Sequence, residues 1–209
     1  MDNFSSEIKH LEHEDDSTYE MVVGTLPVIL VSAHGIGQKK RNGKFKLAEP
    51  YTRGIAKYVS KKTGCFYLVK NQDTGMDPNK ENHDEFKTFL TEIISRNHIK
   101  LMLDLHGAKK EHDFDVEIGT LNGESADPKI IENLTRTLKA NGIKNVAINE
   151  PFKGGDITKT VHENTGISCI QLEINYNYRN IRKIRNLNKI CKALTKFIRD
   201  SASPGKHES

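Results

Sequence analysis

The chain has 209 residues, 35% of them hydrophobic and 29% charged, with a net charge of +4, which fits one ordered globular domain and excludes a disordered chain. The positive balance is too slight, and its lysines and arginines too rarely interleaved with aromatics, for a nucleic-acid surface; no apolar stretch is long enough to cross a membrane. Cys65, Cys169 and Cys191 lack paired spacing and the opening residues are polar and acidic, so free thiols in a cytoplasmic location are expected.

Residues 1–20 carry many charges and few apolar side chains, and are expected as a flexible or edge segment. A buried strand follows near Val28–Ser32, then a loop rich in Gly and Lys that begins at His34. Glu49-Pro50 reads as a helix start, with Tyr51, Ile55, Tyr58 and Val59 inward and Gly64 as the stop. Cys65–Val69 is a second strand, and residues 71–82 form a loop by composition. Asp84–Asn97 is helical, with Phe86, Phe89, Leu90, Ile93 and Ile94 inward. Leu101–Leu105 is the central strand, and Val116–Thr120 another. Asp127-Pro128 opens a helix to about Ala140, and Val146–Ile148 is a short strand. Residues 152–158 read as a turn or rim, and Ile167–Ile174 as the last strand. A basic helix closes the domain, with Ile181, Ile184, Leu187, Ile190, Cys191, Leu194 and Ile198 on one stripe and a solvated opposite face. Residues 201–209 are expected as a disordered tail. Strands alternating with helices over residues 21–200 imply a single α/β domain with a mixed, mostly parallel sheet and helices on both faces.

Three of the strands end in chemistry. His34 follows Val28–Ser32, His106 follows Leu101–Leu105, and Glu173 ends the last apolar run. In open α/β sheets ligands bind beyond the carboxyl ends of strands. Neutral imidazoles are the usual nitrogen ligands of zinc, and a catalytic site needs three protein ligands and an open position. The third ligand is open between Glu49 and Glu173. As the alternative to ligation, Glu173 would be a general base. Asp104, two residues before His106, shares its face and can orient it; Gln171 stands on the face of Glu173. Lys39, Lys40, Arg41 and Lys44 form a basic loop that could steer an acidic substrate. There is no Gly-x-Ser-x-Gly elbow, phosphate loop or complete dinucleotide fingerprint.

Phe114–Thr120, Asn149–Thr158 and Gln171-Leu-Glu173-Ile-Asn together resemble the N-formylglutamate amidohydrolase family, in order from about Val28 to Tyr178. The resemblance implies a zinc carboxypeptidase-like fold (phosphorylase/hydrolase-like), akin to aspartoacylase, and a zinc enzyme cleaving an amide beside a carboxylate. It places the metal ligands on His34, Glu49 and His106 and the catalytic acid–base on Glu173. The family's Asp-Leu-Asn-Arg element falls on Asp77-Pro78-Asn79-Lys80, and the basic residue after Gly-Gly-x-Ile-Thr on Lys159. Asn79, Lys80 and Lys159 are thus the expected grip on the substrate carboxylate, with lysine replacing arginine twice. One zinc per chain and a small acidic amide or glutamyl-type peptide are the implied cofactor and substrate. The rivals are a metallo-carboxypeptidase acting on small peptides and a non-catalytic relic that binds an acidic ligand.

Overall fold

The computed structural model describes residues 3–13, 16–39, 43–80 and 84–202. In chain order the elements are α1 (Asn3–Leu11), β1 (Tyr19–Val22), β2 (Leu26–Ser32), β3 (Gln38–Lys39), β4 (Phe45–Lys46), α2 (Thr52–Thr63), β5 (Cys65–Lys70) and α3 (Glu85–Arg96). They continue with β6 (Leu101–Ala108), β7 (Val116–Gly119), α4 (Pro128–Ala140), β8 (Val146–Ile148), α5 (Asp156–Thr165), β9 (Ser168–Asn175), α6 (Tyr176–Arg179) and α7 (Ile184–Ala202). Seven strands form one sheet in the order β1-β5-β2-β6-β9-β7-β8. Its centre, β5-β2-β6-β9, is parallel, while β1 and β7 run antiparallel to their inner neighbours. No helix among the described residues is long and apolar enough to cross a membrane.

Strand alternation sorts the core onto two faces. Val28 and Leu30, Leu101, Leu103 and Leu105, and Ile170, Leu172 and Ile174 pack against α1, α2, α4 and α7. Ile29 and Val31, Met102 and Cys169 pack against α3 and α5. The first face is apolar through the middle of the sheet, with Ser32 and Ser168 at strand ends bonding to the helices that cover it. The second turns polar toward the carboxyl ends, where Asp104 and His106 follow Met102, and Gln171 and Glu173 follow Cys169.

The structure corrects four expectations. Asn3–Leu11 is a packed helix, with Ile8 fully buried, rather than a flexible end, and Tyr19–Val22 is the edge strand β1. Helix α2 begins at Thr52 rather than at Glu49-Pro50, because Tyr51 takes a left-handed φ of 71°. The Glu12 carboxylate accepts from the Tyr51 and Gly54 N–H groups at 2.7 and 2.6 Å, so a distant acidic side chain satisfies that helix start. Phe89 is 38% exposed rather than inward. Finally, α5 occupies Asp156–Thr165, where a turn was expected; Ile157 and Val161 bury one stripe, and Gly166, with φ of 69°, ends it. Helix α7 runs to Ala202, and the remaining residues of the expected tail, 203–209, lie outside the described residues.

Arg179 knots the carboxyl ends of the strands together. Only 4% exposed, it donates to the carbonyls of Ile174 (3.2 Å), Ala108 (3.3 Å) and Pro50 (2.6 Å). The last bond holds the segment that carries Glu49 against β6 and β9. Gly107 makes room for it, since a Cβ there would lie 2.6 Å from the guanidinium carbon. Gly107→Ala is therefore expected to lower the unfolding free energy by about 1–3 kcal/mol. Urea unfolding checks this, and an unchanged midpoint would contradict the packing argument.

Candidate metal centre

His34 lies two residues beyond β2, and Glu49 is brought beside it by a hydrogen bond from the Glu49 N–H to the His34 carbonyl, 2.8 Å. The Glu49 loop is fastened further by Thr52, whose hydroxyl donates to the Glu49 carbonyl at 2.8 Å and accepts from Ser32 at 2.8 Å. His106 sits in β6, which extends to Ala108, past the predicted end at Leu105. The three side chains converge so that one donor atom from each lies within 4.8 Å of the other two.

The imidazoles meet through their Nδ1 atoms, 3.1 Å apart. Glu49 stands against both, with Oε2 3.2 Å from His106 Nδ1 and Oε1 3.7 Å from His34 Nδ1. Two nitrogens bound to one tetrahedral zinc at ~2.0–2.1 Å lie about 3.3 Å apart, so this spacing already suits a shared ion. The far nitrogens are also engaged: His34 Nε2 lies 2.8 Å from Asp77 Oδ1, and His106 Nε2 lies 3.0 Å from Asp104 Oδ2. A carboxylate on Nε2 favours the tautomer that leaves the Nδ1 lone pair free for a metal. Two imidazole nitrogens with a carboxylate are a donor set that fits zinc.

His34 is fully buried and His106 is 2% exposed. Burial lowers the His34 pKa, with Asp77 opposing it. Burial pulls His106 the same way, but Asp104 and Glu49 outweigh it and hold that imidazole well above its ordinary value. Glu49, 13% exposed, is raised by desolvation, yet His106, then His34 and Lys46, keep it well below the usual carboxylate range. A cation bound at His106 Nδ1 would have to replace any proton there, as ligand sites generally require.

Glu173 lies beside His106 in the β6–β9 register and opposite Glu117 in the β7–β9 register. It is 7% exposed. Burial pushes its pKa up to about 7; His106 opposes this and Glu49 adds to it. Gln171 donates to Glu173 Oε1 at 3.1 Å. A carboxyl poised near neutrality beside a candidate metal centre can accept and return a proton in the working pH range.

The remaining expected residues fall differently. Asn79 Nδ2 lies 3.2 Å from His106 Nε2, and Asn79 Oδ1 accepts from the Ile157 N–H at 3.0 Å. Gly155 packs on that amide so closely that a Cβ would lie 2.5 Å from Asn79 Oδ1. Lys80 is exposed. Lys159, on α5, is 57% exposed with its ammonium 3.9 Å from Glu163. Neither lysine forms a hydrogen bond or ion pair with the cluster. Sequence reasoning gave Asp77 no role of its own and passed over Lys46, whose Nζ lies 2.7 Å from His34 Nδ1 and 3.2 Å from Glu49 Oε1.

Glu117 was also passed over. It is fully buried, and neither of its oxygens has a well-formed hydrogen bond. Burial, then Glu173, pushes its pKa up to about 8 from 4.5, with the N–H groups of Asn149 and Glu150 only partly offsetting this. The unfolded chain sheds that proton at lower pH, so this residue disfavours the fold increasingly as pH rises through that interval. Glu117→Gln should match the parent near pH 5 and be more stable near pH 9, by about 1–3 kcal/mol. Urea unfolding at the two pH values checks this, and parallel stability curves for the two proteins would contradict it.

The sequence profile of the N-formylglutamate amidohydrolase family matches residues 80–178. No curated protein matches the sequence. Among solved structures, N-formylglutamate amidohydrolase from Ralstonia eutropha JMP134 superposes with a TM-score of 0.68 at 14% identity, over 88% of this chain and 97% of that one. A bacteriophage poly-gamma-glutamate hydrolase gives 0.59 at 16% identity, over 90% of each chain. A metallo-carboxypeptidase from Burkholderia cenocepacia gives 0.52 at 10% identity, over 95% of this chain and 67% of that one. At such identities the superpositions speak for the fold alone. Residues 80–178 thus resemble the N-formylglutamate amidohydrolase family within a carboxypeptidase-like fold, and the match indicates a hydrolase acting on amide bonds.

Proposed function

We propose that the chain is a zinc-dependent amidohydrolase acting on an N-acylated acidic amino acid or a glutamyl-type amide. The observation that carries this reading is the approach of His34 Nδ1, His106 Nδ1 and Glu49 at the strand ends, with Glu173 in the next strand position. His34, Glu49 and His106 would hold the ion, which supplies Lewis acidity to water and to an amide carbonyl. Asp77 and Asp104 fix the imidazole tautomers. Glu173 takes the proton of the attacking water and hands it to the leaving nitrogen, a double duty that its position near neutrality suits. Asn79, pinned between His106 and the start of α5, orients the substrate at the edge of the centre. The likeness to a poly-gamma-glutamate hydrolase keeps γ-glutamyl amides beside N-formyl- and N-acetyl-amino acids as substrates to assay.

Glu173→Gln is expected to keep its zinc and lose about 10²-fold or more in turnover on the best of these substrates. Steady-state assays beside elemental analysis check this. Turnover close to the parent's would remove Glu173 from the chemistry, and zinc lost with the substitution would make Glu173 a ligand instead.

A further inference from the structure

Strands β3 and β4 form a two-stranded antiparallel sheet beside the centre, in which Gln38 pairs with Lys46 and Lys39 with Phe45. Gln38 is 1% exposed, and its amide donates to the Ala33 carbonyl at 2.7 Å, next to His34. The Lys39 N–H donates to Asp73 at 2.8 Å. Gly37 admits the Phe45 ring, since a Cβ there would lie 2.5 Å from it. These contacts fix the register, and with it the face that Lys46 shares with the buried Gln38.

The alternation along this strand is the reverse of ordinary burial. Phe45 and Leu47 are 62% and 77% exposed, while Lys46, between them, is 23% exposed and reaches inward to His34 and Glu49. Turning a lysine in and two large apolar side chains out costs stability, which fits a strand shaped by a site rather than by a core. The surroundings also call for a cation. Glu49, Asp77, Asp104 and Glu173 crowd the centre, and a divalent ion offsets only part of their charge. A substrate carboxylate entering there meets repulsion unless a positive group stays close. Lys80 and Lys159 are exposed, and the Arg179 guanidinium is taken up by carbonyls.

We propose that Lys46 is the cation that binds the substrate's carboxylate in the zinc-loaded protein, in place of Lys80 and Lys159. The inference rests on the zinc amidohydrolase reading above. A lysine suits the part because its ammonium sits on a flexible four-carbon stem. It must yield His34 and Glu49 to a metal ion, yet it remains tethered beside them.

The test is calorimetric titration of the zinc-loaded Glu173→Gln protein, which spares the ligand, with N-acetyl-L-glutamate and with its uncharged diamide. Adding Lys46→Met should keep about one zinc per chain, weaken the anion about tenfold or more, and leave the diamide unchanged. Lys46→Arg should recover much of the loss, and Lys80→Met and Lys159→Met should bind the anion within about twofold of the parent. Retained zinc reports that each variant is folded. The proposal is overturned if Lys46→Met binds the anion as well as its parent does, if it alone loses zinc, or if the parent does not prefer the anion to the diamide. A parent that takes up no zinc, seen before any titration, overturns instead the metal reading on which the proposal stands.

Discussion

Asp77 and Asp104 decide which nitrogens His34 and His106 turn toward each other, and the rest of the site depends on that choice. With Nε2 of each ring held at 2.8 and 3.0 Å by a carboxylate, both Nδ1 atoms point to one spot and approach to 3.1 Å. Protons on both Nδ1 atoms could not be accommodated at that distance, so the pair calls for a shared proton or a cation. Glu49 closes the third side through a loop that Arg179, Thr52 and the His34 carbonyl all hold in place. The fold thus spends backbone and buried hydrogen bonds on aiming three donor atoms, the usual way in which such centres are made rigid.

The sheet makes the rest affordable. On the face that packs against α1, α2, α4 and α7 the middle of every central strand is apolar, which anchors them. The other face carries carboxylates and an imidazole in transverse rows: Asp104 beside Gln171 and Gly119, then His106 beside Glu173 and Glu117. Each row costs desolvation, offset where the polar groups meet one another and least offset at Glu117. Gly119 leaves space for the Lys153–Gly154 backbone to lie on this face, a Cβ there falling 2.6 Å from the Gly154 nitrogen.

The α/β architecture was legible because β2, β5, β6 and β9 are short, nearly continuous apolar runs separated by helical stretches. The histidines and Glu173 stood out because each ends or follows such a run. What stayed hidden depends on contacts between distant segments. Nothing local marks Asp77 as the partner of a histidine 43 positions away, or Glu12 as the cap of α2. Helix α5 was obscured by Gly154-Gly155, which read as a turn although Ile157, Val161 and Gly166 carry a helix stripe and its stop. Lys46 lay among several lysines and an arginine that looked alike in sequence, and the Phe45-Lys46-Leu47 alternation by itself reads with the lysine outward.

The central claim is that His34, Glu49 and His106 form one divalent-metal site whose donors the fold has already aimed. Zinc stoichiometry of the purified, untagged protein, measured by elemental analysis beside His34→Ala and His106→Ala, tests it most directly. The account predicts about one zinc per chain in the parent and loss of zinc in both variants. A parent that neither carries zinc nor takes it up when it is added would contradict it.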